Sequence, residues 1–179
     1  MRPTLSTFAL LAGLAPSIAN CGGKAVVDGP PTSGGGSTTC TGVLCLGPDD
    51  AKRLEETASS FAMCVPAMGD PEAPGDGLRV GGIEVLASTE ADVTLRLVLA
   101  NLASGFVGSY PGLRLTIARD GAVVASNESG QFFGVPGCGT QETEVTLGWE
   151  LVDGAILVVS ATDQLGSVTV DSLAFTLQR

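Results

Sequence analysis

Residues 78–179 of this 179-residue chain predict an antiparallel β-sandwich, and three observations carry the prediction. Apolar and polar residues alternate with period two along several short segments, the pattern of strands with one buried face. The turn dipeptides Asp120-Gly121 and Asp153-Gly154 fall between such segments, where positive φ makes a tight reversal cheap. After residue 78 no long helical segment intervenes, which excludes a parallel sheet built from strand–helix–strand crossovers.

The elements follow in order. Asp49-Asp50 after Pro48 is read as the cap of a short helix running to about Met63. Leu54, Ala58, Phe61 and Ala62 would share its apolar face, with Lys52 and Glu56 paired at i, i+4 on the other. Pro66, Pro71, Pro74 and several glycines then form a linker to Gly77. About seven strands are expected: 78–87, 92–101, 112–119, 122–127, 143–152, 155–162 and 167–177. Val93, Leu95, Leu97 and Leu99 make one inward row; Leu113, Leu115 and Ile117 make another. Val145, Leu147, Trp149 and Leu151 form a third row, which places Trp149 in the core.

The first forty residues concern address rather than fold. Met1-Arg2 precedes an apolar run from Leu5 to Ala19, and Cys21-Gly22-Gly23 leads into a tract rich in Gly, Ser, Thr and Pro. The run is interrupted by Pro16 and is shorter than the roughly 20 residues of a spanning helix. The order matches a secretory signal peptide over 1–20, then an attachment cysteine and flexible tether over 21–44, a Cys-containing helical segment and linker over 45–77, and the sandwich over 78–179. Ile18-Ala19-Asn20-Cys21 resembles the bacterial lipoprotein lipobox, with Asn20 standing where Gly, Ala or Ser is usual. The competing reading is ordinary signal cleavage after Ala19. Cysteine parity favours the lipoprotein: lipidation of Cys21 leaves Cys40, Cys45, Cys64 and Cys138, an even set for an oxidising compartment. Three pairings are open. The expected one joins Cys64 to Cys138, tying the preceding segment to the sandwich, and Cys40 to Cys45 as a local loop. The tether composition cannot bury a core.

The segments Val93-Thr94-Leu95-Arg96-Leu97-Val98-Leu99-Ala100-Asn101, Leu113-Arg114-Leu115-Thr116-Ile117, Thr143-Glu144-Val145-Thr146-Leu147-Gly148-Trp149 and Ile156-Leu157-Val158-Val159 resemble bacterial immunoglobulin-like and fibronectin-like envelope modules. The bacterial cell-adhesion-related domain is the nearest of these. Only Cys138 lies within the sandwich, so the inter-sheet disulfide of antibody domains is absent. Residues 1–45 also resemble lipoprotein leaders common in myxobacteria. The resemblance implies an immunoglobulin-like architecture and an envelope location, and carries over no catalytic residue.

Charge and composition narrow the function. The chain carries 9 Lys and Arg against 19 Asp and Glu, a net charge of −10 that becomes −11 once Arg2 leaves with residues 1–20. Nucleic-acid binding needs clustered cations and is not expected. With no histidine, Ser-His-Asp and Cys-His sites cannot be built, and no phosphate-binding Gly-rich strand–helix junction occurs. A zinc cage from the four cysteines lacks CxxC spacing. Asp70, Glu72 and Asp76 lack the spacing of a Ca²⁺ loop and read as a solvated linker. Glu142, Glu144 and Glu150 are the carboxylates from which a hydrolase would have to be made, and they read as a solvated strand face. No cofactor and no metal are expected.

Recognition would fall on loops. Gly105-Phe106-Val107-Gly108-Ser109-Tyr110-Pro111 and Gln131-Phe132-Phe133-Gly134-Val135 hold four of the eight aromatic residues on glycine-flanked segments. Phe106, Tyr110, Phe132 and Phe133 either form a contact patch or cap the open end of the core. The expectation is a non-catalytic envelope lipoprotein serving binding or structural support. It would be exported and lipid-anchored, at the outer membrane because Gly22 and Gly23, directly after Cys21, are not acidic, with a periplasmic or secreted form as the alternative. Its partners would be the membrane, through the anchor, and an unidentified protein or glycan. The rival readings are a glycan or small-ligand module using the aromatic loops and, further off, a carboxylate hydrolase.

Overall fold

The computed structural model describes residues 38–163 and 168–179. The segments read as signal peptide (1–20) and, up to residue 37, as tether, together with Cys21, lie outside the described residues, as does Ser167. Among the described residues nine strands build two antiparallel sheets. They are β1 (Thr39–Thr41), β2 (Leu44–Leu46), β3 (Leu78–Ser88), β4 (Asp92–Asn101), β5 (Gly112–Arg119), β6 (Ala122–Gln131), β7 (Thr140–Gly148), β8 (Ile156–Asp163) and β9 (Val168–Leu177). The smaller sheet has the order β3-β4-β7 and the larger β1-β2-β9-β8-β5-β6. The seven strands from β3 to β9 form the expected sandwich, three against four. The β1–β2 hairpin extends the larger sheet beyond β9.

The rows read from the sequence meet between the sheets. Val93, Leu95, Leu97 and Leu99 of β4 are fully buried against Leu113, Leu115 and Ile117 of β5, Leu157 and Val159 of β8, and Leu173, Phe175 and Leu177 of β9. Removing this much apolar surface from water is the main force holding two layers face to face.

Three local expectations are corrected. The segment expected as a strand over 143–152 pairs from Thr140 to Gly148 and then turns into a short helix, α2 (Trp149–Val152). Trp149 is buried as expected, but on this helix; its Nε1 donates to the carbonyl of Thr89 at 3.0 Å, satisfying the indole N–H. The segment assigned to the tether up to residue 44 instead contains β1 and the start of β2. Leu44 sits opposite Leu177 and is buried, and Gln178 N–H donates to Val43 O at 2.8 Å. The apolar run Val43-Leu44-Cys45-Leu46 thus serves the unpaired side of β9, which accounts for nine strands where about seven were expected.

The third correction concerns the helix. α1 spans Pro48–Ala62, with Gly47 as its N-cap and Pro48 in the first turn; Asp49 and Asp50 make no capping hydrogen bond and act as first-turn charges. Its inward face is Leu54, Thr57 and Phe61. Thr57 is buried whereas Ala58 is exposed, one position round from the face expected. Lys52 and Glu56 do pair, at 3.5 Å.

α1 is fastened where the two sheets open. Asp171 on β9 accepts the backbone N–H of Val80 on β3 at 2.9 Å, and its other oxygen is bonded by Arg53 of α1. β3 is an edge strand of the smaller sheet. Val80 stands opposite Leu99 of its one neighbour, and a carboxylate from the opposite sheet takes its N–H at that edge.

Candidate functional site

One end of the sandwich is formed by three connecting segments, 63–77, 102–111 and 132–139, and they are bonded into a single surface. Asn101, the last residue of β4, is fully buried and continues the inward row of Val93 to Leu99. Its Nδ2 lies 2.9 Å from Gly105 O and 3.1 Å from both Val135 O and Pro136 O, and its Oδ1 accepts the Ala103 N–H at 2.9 Å. One side chain therefore holds both outer loops to the end of β4.

Backbone contacts complete the brace. Val107 and Val135 exchange two hydrogen bonds of 2.9 Å. Phe106 N–H donates to Pro71 O at 3.0 Å and Ala73 N–H to Phe106 O at 2.7 Å, which adds the linker as a third extended segment. Cys64 and Cys138 are bonded, with Cα atoms 5.5 Å apart, and Asp70 Oδ1 accepts the Gly137 N–H at 3.1 Å. Cys40 and Cys45 are bonded across the β1–β2 hairpin. Gly105 is required by close approach: a Cβ there would lie 2.0 Å from Pro71 O.

On this frame the four aromatic residues divide. Phe132 is half-buried and packs against the core. Phe106 is half-buried, its ring near the backbones of Gly108 and Gly134. Tyr110 and Phe133 face outward, 47% and 91% exposed, with ring centroids 5.9 Å apart and planes inclined at 58°. Two of the four rings thus turn toward the core and two toward solvent. Ser109 and Tyr110 have φ of 62° and 60°, two successive non-glycine residues in the left-handed region, each costing about 1–2 kcal/mol. The surrounding hydrogen bonds hold that turn, and the turn presents the Tyr110 ring.

The same end exposes Met63, Val65 and Met68, the last completely. Met63 closes the helix expected from the sequence, and Met68 falls in the expected linker. Their signal was their apolar character in a segment otherwise made of turn formers. Asn101 was also missed, although a polar residue continuing an inward apolar row is the mark of a buried hydrogen-bond hub. The three segments contain Asp70, Glu72 and Asp76 and neither Lys nor Arg. Arg79, just beyond, donates to the carbonyls of Asp76 and Leu78, both at 2.6 Å. Among the described residues no three His, Cys, Asp or Glu are grouped so as to hold a metal ion.

The carboxylates considered for hydrolysis lie elsewhere and apart. Glu142 and Glu144 on β7 flank Arg96 of β4 at 3.4 and 3.8 Å, with Glu84 at 3.1 Å, on the exposed outer face of the smaller sheet. Glu150 is on α2 at the opposite end, lining a cavity of about 410 Å³ with Glu90, Arg119, Trp149 and Asp153. Arg119 there donates to the carbonyls of Glu150, Leu151 and Asp153 at 3.4, 3.3 and 2.8 Å, closing the C-terminal turn of α2.

No protein-family profile matches the chain, and no curated protein does. Among solved structures, it is similar to part of a protein described as a β-galactosidase from Bacteroides fragilis, with 19% identity and a TM-score of 0.38 over 58% of this chain and 16% of that one. It is also similar to part of a β-glucosidase from Kluyveromyces marxianus solved with glucose, with 6% identity and a TM-score of 0.31 over 57% and 14%. The chain thus spans about a sixth of the length of either protein or less, and no functional residue is taken from them.

Proposed function

We propose that this chain is a non-catalytic lipoprotein of the bacterial cell envelope whose sandwich works by binding, through the loop end that carries Tyr110 and Phe133. The observation that supports it best is the outward pair itself. Two aromatic rings stand in water, Tyr110 on a turn of unfavourable backbone conformation and Phe133 on the neighbouring loop, both loops fastened by Asn101 and the Cys64–Cys138 bond. Rigid loops lose little conformational entropy on association, and exposed aromatic rings are the side chains that dominate contact energies.

Anchoring is supported by cysteine arithmetic. Two disulfides consume four of the five cysteines, leaving Cys21, next to the lipobox-like residues, as the one thiol to be accounted for. Mass spectrometry of the mature protein tests this reading: a diacylglyceryl group on Cys21 is expected, with release from the membrane fraction in Cys21→Ser. An unprocessed chain in the cytosolic fraction would overturn it.

A second reading, a glycan-binding module, is favoured by the two exposed rings of Tyr110 and Phe133, 5.9 Å apart. Titration with a soluble chito-oligosaccharide tests it. Binding lost in Tyr110→Ser/Phe133→Ser at an unchanged melting temperature would establish it.

A further inference from the structure

We propose that the loop end receives cationic side chains, the ammonium or guanidinium groups of a Lys- or Arg-rich polypeptide segment. This inference rests on the reading of that end as the contact surface and adds the chemistry of what it contacts. Glu72 stands in register with Phe106 through the bridge that joins the linker to the 102–111 loop. A Cβ placed on Gly108 would lie 3.3 Å from Phe106 Cε2 and 3.7 Å from Glu72 Oε1. A ring and a carboxylate therefore flank one glycine, with no side chain between them.

Glu72 is exposed, and among the described residues its carboxylate has no hydrogen-bond or ion-pair partner. Asp70, by contrast, is occupied by the Gly137 N–H. Beyond this niche, the Tyr110 and Phe133 side chains are exposed to solvent, with ring centroids 5.9 Å apart. Aromatic faces carry negative quadrupole potential and attract cations. The three segments hold three carboxylates and neither Lys nor Arg, in a chain of net charge −10. An anionic ligand meets repulsion from every charge on these segments. A neutral saccharide uses the rings but gains little from a full charge at Glu72, since the amide of glutamine also accepts a hydroxyl hydrogen bond. A cation uses both, and its attraction to the exposed carboxylate fades with salt.

The test is calorimetric titration of the full-length protein with an octa-lysine peptide and, separately, with a chito-oligosaccharide, at low and physiological ionic strength. Octa-lysine is expected to bind, more weakly at the higher salt. Glu72→Gln should weaken it about three- to tenfold, and Tyr110→Ser/Phe133→Ser about tenfold, the size of exposed cation–π contacts acting together. Glu72→Asp, which keeps the charge, should restore most of the binding. Glu56→Gln, which removes the same charge from α1, should change it less than twofold. Equal losses in Glu72→Gln and Glu56→Gln would mean that only overall charge is sensed, and would overturn the inference. Failure of octa-lysine to bind would also overturn it. If the oligosaccharide alone binds and the serine variant alone abolishes that, the cation proposal fails while the loop end stands as the contact surface. If neither probe responds to the serine variant, both fail. Unchanged melting temperatures confirm that each variant is folded, as expected for exposed side chains.

Discussion

Asp171 and Val80 belong to opposite sheets, yet the carboxylate of the first accepts the backbone N–H of the second at 2.9 Å, and the same carboxylate carries Arg53 of α1. The Asp171 side chain is 7% exposed and the Arg53 side chain 45%. One nearly buried charge thus joins both layers and the helix across the open edge of the sandwich.

Its removal should be expensive. Asp171→Ala leaves the Val80 N–H without its acceptor and Arg53 with only Asp50 and the Ser172 carbonyl, a loss of about 3 kcal/mol. Arg53→Ala should lose only about 1 kcal/mol more than a neutral surface change, because that guanidinium is half in water. Urea denaturation of the two variants gives the order; equal losses would show that the Val80 contact contributes nothing.

Asn101 is the corresponding point at the loop end. Replacing it with Ala withdraws a donor from three buried or half-buried carbonyls and should destabilise by about 2–4 kcal/mol. Hydrogen exchange gives a more local reading: the Val107 and Val135 amides, paired at 2.9 Å, should exchange faster than those of β8 in the variant.

The two disulfides should differ in weight. Cys64–Cys138 closes a sequence separation of 74 and Cys40–Cys45 one of 5. On the chain-entropy account the first contributes about 4 kcal/mol and the second about 2. Thermal melts of Cys64→Ser/Cys138→Ser and Cys40→Ser/Cys45→Ser should rank accordingly, and only the first should weaken binding at the loop end.

The Arg96 cluster is expected to matter little. Arg96 meets Glu84, Glu142 and Glu144 at 3.1–3.8 Å, but the glutamates are more than half exposed. Arg96→Ala should shift stability by less than about 1 kcal/mol, and the shift should shrink in 0.5 M salt. A loss comparable with that of Asp171→Ala would mean the outer face of the smaller sheet is structurally organised by charge.

Much of this was legible in residue order. The alternation in β4, β5, β8 and β9 depends on neighbours two positions apart, so it named the inward rows without knowledge of partners. Asp120-Gly121 marked its hairpin for the same local reason. Where local signals conflicted with long-range ones, the reading slipped. Trp149 keeps the parity of β7, but the chain turns into α2 there and its indole reaches the Thr89 carbonyl. Thr57 rather than Ala58 faces inward because the helix docks against β3 and β9, not against a generic apolar surface. At the loop end the sequence offered four aromatic residues as one group. Their division into Phe106 and Phe132 inward and Tyr110 and Phe133 outward depends on the Val107–Val135 pairing, which residue types do not reveal.

By itself the sequence determined the all-β class, the rows that meet in the core, and the chemistry ruled out by the lack of histidine. Tertiary structure alone decided that Val43 to Leu46 would complete the edge of β9, that the Val80 N–H at the edge of β3 would meet Asp171 of the other sheet, and that Glu72 would come to stand beside Phe106. The reason is physical. Periodicity and turn chemistry act over a few residues, whereas edges, bulges and loop ends are settled by contacts between residues dozens of positions apart, each chosen by whatever polar group or apolar surface the finished sheets leave unsatisfied.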